Sequence, residues 1–279
     1  MDKEKRGLLI KIIALGVSLA LLVLVAVIFS SGVTPPPPEE FTYPEITQAT
    51  VAPTLPPPPR NPYMVGDFAQ DENGYLQLMI GESWLGIDVS EHQEDIDWNA
   101  VAEAGVEFVM IRVGYRGYES GMLMPDSMAQ SHYEGAKAAG LKVGAYFFSQ
   151  AVSAQEAEQE AAFTLEQISS WQVDMPVVFD WEYVAGSART GELTREALTH
   201  ITAVFCQKVQ DSGYTPMFYF NQSQGEDMLN LSELVDYPFW LALYGDMDYP
   251  YQVKMWQYTN AGTVPGIPGD VDLNLYFPG

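Results

Sequence analysis

The sequence predicts an α/β fold in which a parallel sheet, wrapped by helices, closes into a barrel. Three observations predict it. From residue 85 onward, short β-branched runs alternate with helix-length runs, and strand, helix, strand repeated in this way calls for parallel pairing with the helices outside. A chain of 279 residues has room for an α/β barrel of about 200 residues. Finally, acids and aromatics fall at the carboxyl ends of the predicted strands, where sheets of this kind carry their chemistry.

The elements can be taken in order. Residues 1–11 are a basic tail carrying Lys3, Lys5, Arg6 and Lys11. Residues 12–29 are eighteen without a charge, long enough to span a bilayer, and the basic flank keeps the tail cytoplasmic. A cleavable signal peptide is the rival reading, since Ser30, Ser31 and Gly32 are small. The apolar core exceeds the roughly 7–15 residues usual for a signal peptide and no A-x-A site is present, which favours an uncleaved transmembrane signal anchor over 12–30. The chain is then a single-pass protein of the cell membrane with its C-terminal domain outside, facing the wall. Residues 31–60 contain two runs of four prolines and form a semi-rigid extracellular spacer of polyproline II type. Residues 61–84 read as a small extension packed on the main domain, with Asn73-Gly74 as a tight turn.

The regular pattern occupies 85–279. A strand over 85–89 leads to a helix over 97–104, capped by Asp97 and stopped by Gly105. A strand over 106–113, a Gly- and Met-rich loop, a helix over 127–139 ended by Gly140 and a strand over 142–148 follow. Then come a helix over 154–170, the strand beginning at Val177, a helix over 194–211 ended by Ser212-Gly213, and a strand over 215–220. The tail differs, with short strands over 239–244, 253–258 and 270–275 and little helix between them, so the barrel should be irregular on its last side. Cys206 falls in a helical run, has no intrachain partner, and reads as a small core residue. The net charge of -24 makes the body strongly acidic, which argues against nucleic acid or anionic lipid as its partner.

The chemistry centres on Met175-Pro176-Val177-Val178-Phe179-Asp180-Trp181-Glu182. Side chains two apart on an extended chain leave the same face, so Asp180 and Glu182 should share one site with Trp181 turned away. Two carboxylates that close do not both ionise easily; one stays protonated near neutrality and can act as a general acid. That is glycosidase chemistry in outline, although an isolated D-x-E also suits acids that cap the next helix. The other strand ends tip the balance: Asp88 ends the first strand, Tyr115 follows the second, Tyr146 is late in the third, Tyr219 and Asn221 are at the fifth, Tyr244 and Tyr258 end later strands, and Asp272 lies in the last one. Aromatic faces stack on sugar rings and carboxylates cleave the bonds between them. Spacing alone leaves either acid as the proton donor; the longer Glu182 reaches a leaving oxygen more readily, and Asp180 is then expected to stay ionised. His92, His132 and His200 are too scattered for a metal site, and the chemistry needs no cofactor.

These residues carry a resemblance. Gly86-Ile87-Asp88-Val89-Ser90 with Gln93 and Ile96-Asp97-Trp98, the Tyr146 strand, Phe179-Asp180-Trp181-Glu182, Trp240-Leu241-Ala242-Leu243-Tyr244, Trp256-Gln257-Tyr258 and Val271-Asp272-Leu273-Asn274 resemble glycoside hydrolase family 25, in that family's order. The resemblance implies an irregular, flattened TIM-like (β/α)5(β)3 barrel and lysozyme activity of the N-acetylmuramidase type. Such enzymes cut the β-1,4 bond between N-acetylmuramic acid and N-acetylglucosamine in peptidoglycan, with retention. Carried over, Glu182 is the acid and then the base, Asp180 assists by orienting the substrate's acetamido group, and Asp88 and Asp272 are outer carboxylates that bind sugar and tune the central pair. Tyr115, Tyr146, Tyr219, Trp240, Tyr244 and Gln257 are the expected substrate contacts. The chain departs from the family at Phe147, where many relatives carry a histidine, and in the loop 183–192, where Arg189 is expected within reach of the groove.

Three settings follow for such a chain. A membrane-tethered muramidase would trim peptidoglycan glycan strands near the cell that made it. The same enzyme could serve an envelope or secretion complex that needs local wall opening. A catalytically inactive glycan-binding module on the same barrel is the alternative, and the presence of all four carboxylates argues against it.

Overall fold

The computed structural model describes residues 55–184, 186 and 189–279, so the expected anchor and most of the Pro-rich spacer lie outside the described residues. Among the described residues, no helix is long and apolar enough to cross a membrane. The first of them are already held by the barrel. The Gln252 amide donates to the Pro59 carbonyl at 2.8 Å, the Asn61 amide to that of Pro250 at 3.0 Å, and Arg60 pairs with Tyr251 as an antiparallel bridge. Pro58 is buried beside them. The extension is an antiparallel hairpin of β1 (Phe68–Gln70) and β2 (Leu76–Leu78). Its turn uses the freedom of Gly74, at φ 86°, and Asp71 Oδ1 accepts the amides of Asn73 and Tyr75. Tyr75 and Leu78 join the barrel's outer core, and the Phe68 ring meets Trp256 edge-on at 5.1 Å.

Strand and helix then alternate as the sequence predicts, with β5 and α5 added: β3 (Trp84–Val89), α1 (Trp98–Glu103), β4 (Phe108–Arg116), β5 (Leu123–Pro125), α2 (Ala129–Ala138), β6 (Lys142–Ser149), α3 (Ala154–Gln167), β7 (Val177–Trp181), α4 (Arg195–Asp211), β8 (Pro216–Asn221) and α5 (Gln222–Asp227). Short side-chain caps start the helices: Asp97 accepts from the Ala100 amide, Ser153 from Glu156 and Thr194 from Ala197. Strands β9 (Phe239–Ala242), β10 (Met255–Gly262) and β11 (Val271–Tyr276) complete the sheet without α-helices between them. Sheet order is β3-β11-β10-β9-β8-β7-β6-β4, and β3 pairs back to β4, so eight strands close into a barrel with β5 appended to β4. Neighbours are parallel except at β11, antiparallel to both β10 and β3, which is the irregular side expected of the tail.

Period-two alternation sorts the strands into two layers. Val177, Phe179 and Trp181 face the helices with Val143, Ala145, Phe147 and Phe205, whereas Val178 faces inward with Phe108, Met110, Tyr146, Met217, Tyr219, Trp240 and Met255. Cys206 is buried in the outer layer. Gly86 matters here, because a Cβ at that position would stand 2.2 Å from the Phe108 ring that fills the barrel beside it. A carboxyl is buried among the helices as well: Glu160 of α3, fully buried, accepts from Arg116 Nε at 2.6 Å and from Ser149 Oγ at 2.6 Å. Burial pushes its carboxyl up to about 7 against the pull of both donors.

Candidate active site

Inward alternation along β7 ends in acid. Asp180 is the last inward residue of the strand, paired in register with Phe148 on one side and Tyr219 on the other, and Glu182 follows just past the strand end. Both line one cavity of about 420 Å³ at the carboxyl end of the barrel, together with Asp88, Asp272, Tyr146, Tyr219, Trp240, Tyr244 and Gln257. Ser90, His92, Gln93, Arg112, Phe148, Asn260 and Asp270 complete the wall. A second cavity of about 520 Å³ shares Glu182, Tyr219 and Tyr244 and extends over Asn221, Gln222, Ser223 and Glu226, so the groove continues across the β8–β9 side. Tyr244, 52% exposed, stands where the two meet.

A hydrogen-bond network fixes the far wall. Asp88 Oδ2 accepts from Gln257 Nε2 at 2.9 Å and from Asn274 Nδ2 at 2.8 Å. Trp240 Nε1 donates to Asn274 Oδ1 at 2.8 Å, and the hydroxyls of Tyr219 and Tyr244 donate to Gln257 Oε1 at 3.3 and 3.2 Å. One carboxylate thus orients two amides, which orient three aromatic rings. Asp88→Ala would leave both buried amides without an acceptor, at about 1–3 kcal/mol for each unsatisfied group. The expected result is a folded protein with lower Tm and lower rate, read by circular dichroism and turnover, while Asp88→Asn, whose Oδ1 can accept both bonds, recovers the Tm. An Asp88→Ala chain that does not fold would return this residue to a purely structural role.

Neighbouring acids raise the proton affinity of Asp88, Asp180 and Glu182 in this groove. Asp88 and Asp272 lie directly opposite on antiparallel strands, a placement that sets like charges against each other. Burial, then the Asp272 charge, hold Asp88 well above the usual carboxylate range, against the pull of Asn274 and Gln257. Burial brings Asp272 up to about 6. Glu182 is raised by burial and then by Asp272. Asp180 is raised well above its ordinary value, by burial first and then by Glu182 and Asp88, with Arg112 opposing. Its Oδ1 is buried without a hydrogen-bond partner among the described residues. Both carboxyls of the pair are thus pushed up in this structure, by burial first and by the acids around them.

Nine of the ten expected site residues line this cavity, and Tyr115 does not. The β4–β6 register slips between Arg112 and Gly114, which sets Tyr115 beside Phe148 at the end of β4. There the Arg112 guanidinium lies 5.2 Å from its ring. Tyr258, expected at the rim, belongs to the outer core beside Trp256. Phe147 also faces outward, edge-on to Phe163 of α3. Arg189 is turned from the groove as well, its Nη2 donating to both carboxylate oxygens of Glu156 at 2.7 Å. Two functional residues escaped the sequence reading. Asn274 follows Asp272 by two on β11, and Arg112 follows the inward Met110 by two on β4, so the same period that found the acids would have found both. Arg112, held by Asp126 at 2.8 Å and Glu91 at 3.2 Å, is the one arginine or lysine lining this cavity among the described residues.

Paired acids at the open end of a barrel, with flat aromatic faces beside them, are the arrangement that glycoside hydrolases use. Comparison with known proteins gives the family. The model of glycosyl hydrolases family 25 matches residues 87–267, more than half of the chain, and the chain belongs to that family. It is 31% identical over 198 residues to an autolytic lysozyme of Clostridium acetobutylicum, an alignment covering 70% of this chain and 56% of that protein. Lysozyme M1 of Streptomyces globisporus is 29% identical over 208 residues, with 68% and 67% covered. The chain thus spans little more than half the length of the clostridial relative. Among solved structures, a lysozyme from Streptomyces coelicolor superposes with a TM-score of 0.58 at 26% identity, covering 71% of this chain and 93% of that one. The modular autolysin LytC of Streptococcus pneumoniae, solved with a synthetic peptidoglycan ligand, shares the fold with a TM-score of 0.63 at 24% identity, covering 75% and 56%.

Proposed function

We propose that the chain is a lysozyme of the N-acetylmuramidase type, hydrolysing the β-1,4 bond between N-acetylmuramic acid and N-acetylglucosamine with retention. One observation carries this reading: Asp180 and Glu182 leave β7 into the same groove, with the Asp88–Asp272 pair lining it as well. Glu182, at the strand end, protonates the glycosidic oxygen as the bond breaks and later takes the proton of the attacking water. Asp180, deeper, orients the substrate's acetamido group and offsets the positive charge that develops on the sugar. Asp88, through Gln257 and Asn274, sets the aromatic wall on which the rings rest. The proposal extends to residues 12–30 as an anchor that keeps the barrel at the outer face of the cell membrane, and to peptidoglycan glycan strands as its partner, within an envelope or secretion complex where local wall opening is needed. Fractionation of cells producing the full chain, with protease added outside, tests the anchor.

Digestion of purified peptidoglycan by the full chain, beside Glu182→Gln, tests the reaction. A new muramic acid reducing end made only by the wild type supports it. A glucosamine end would change the class of hydrolase, and no release from several wall types with binding intact would make the barrel a glycan-binding module. Rate against pH should be bell-shaped with a mildly acidic to neutral optimum, falling on the acid side as the Asp180–Glu182 pair becomes fully protonated and on the alkaline side as it becomes fully ionised. A flat profile would overturn the paired-acid scheme.

A further inference from the structure

We propose that Gln150 is a positioning residue, whose side-chain amide fixes the main chain of Glu182 where the sheet no longer does; its catalytic consequence rests on the role given to Glu182 above. Ladder pairing of β7 stops at Trp181 toward β6 and at Asp180 toward β8. Glu182 lies beyond both. Its carbonyl accepts from Gln150 Nε2 at 2.7 Å, and the preceding carbonyl, of Trp181, accepts from Gln224 Nε2 at 3.3 Å on the other flank. Two side-chain amides thus replace the missing ladder.

The Gln150 bond is the better built of the two. Its side chain is fully buried, and Nε2 also donates to the Ser149 carbonyl at 2.8 Å. Both amide hydrogens meet carbonyl oxygens, so the orientation is fixed: a flipped amide would set oxygen against oxygen twice. The segment is itself anchored from below, since Ser149 Oγ donates to the buried Glu160 at 2.6 Å and accepts from the Ala151 amide at 3.1 Å. Gln150 is therefore gripped on both sides, and what it grips in turn is the backbone of the acid. Burying a glutamine whose Oε1 has no partner among the described residues costs stability, which a residue serving packing alone would not require.

Gln150→Leu keeps most of the volume and removes the donor, and Gln150→His returns a ring N–H at similar reach. Against peptidoglycan, Gln150→Leu should lose about 10–100-fold in kcat, the scale of a misplaced catalytic group, with KM nearly unchanged and the Glu182 limb of the pH profile displaced. Gln150→His should recover most of that loss. Wild-type kcat and profile in the leucine variant would overturn the proposal, as would a loss that the histidine variant leaves uncorrected. Should the leucine variant fail to fold, Gln150→Asn, one methylene short of the carbonyl, takes its place with the same expectations. A substrate-free readout keeps the two readings apart: the carboxyl-carbon NMR titration of Glu182, assigned by its absence in Glu182→Gln. It should move in Gln150→Leu and return in Gln150→His; an unmoved titration overturns the positioning role. A wild type inactive on every wall would defeat the muramidase reading alone, and the titration would still decide Gln150.

Discussion

Glu182→Gln should lower peptidoglycan turnover by about 10²–10⁴-fold, the usual contribution of a positioned general acid, while leaving the fold and glycan binding intact. Glutamine matches the shape and keeps a hydrogen-bonding head but cannot give up a proton to the leaving oxygen. Burial and the Asp272 charge keep Glu182 protonated to higher pH than an ordinary glutamate, which is what the donor requires. The expected signature is a loss in kcat with KM little changed, together with loss of the alkaline limb of the pH profile. Reducing-end release on one wall preparation across pH measures it. Activity within tenfold of wild type would move the acid to another carboxyl, with Asp180 next in line.

Asp180→Asn should cost about 10²–10³-fold in kcat, the scale of a removed electrostatic contact to the transition state, and should at the same time stabilise the protein. The Asp180 carboxyl is raised by burial and by three neighbouring acids, Glu182, Asp88 and Asp272, so its ionised form is a liability to the fold. For a group raised in the folded state, the native protein holds its proton when the unfolded chain has released it. The penalty is absent below about pH 4, where both states are protonated, and grows with rising pH. For Asp272 it is complete above about 6. Stability should therefore fall from pH 4 toward neutrality, and Asp180→Asn should flatten that fall. A gain of about 1 kcal/mol at neutral pH is typical when an active-site liability is removed, equivalent to about 2–4 °C in Tm at this size. Thermal melts at several pH values measure it; a lower Tm at neutral pH would mean that the carboxylate is better accommodated than its burial implies.

Most of the barrel was legible because the same physics that folds it writes the sequence. Inward and outward residues alternate along β7, Gly105 ends α1 at φ 94°, and Asp97 and Thr194 mark helix starts. Helix α5 left no such mark, since Gln-Ser-Gln-Gly-Glu-Asp has no apolar period; it forms because Asn221 caps it through the Gln224 amide at 3.1 Å. The three-residue β5 was hidden in a loop rich in glycine and methionine, and it exists only as an edge on β4. The slip beside Tyr115 was not legible either, because a bulge is a property of two paired strands, and one strand read alone keeps perfect alternation. Long-range partners such as Asn274 with Asp88 and Trp240 were equally out of reach, because closure of the barrel, not local pattern, brings β11 beside β3.

Residues 59–61 hydrogen-bond to the segment just before β10, beside the strands' amino ends, whereas Asp180 and Glu182 sit at their carboxyl ends. The barrel therefore has a handle and a blade at opposite poles. Whatever precedes residue 55 is joined at the handle, so any pull from that side is taken up by main-chain bonds at residues 59, 61, 250 and 252 instead of by the groove.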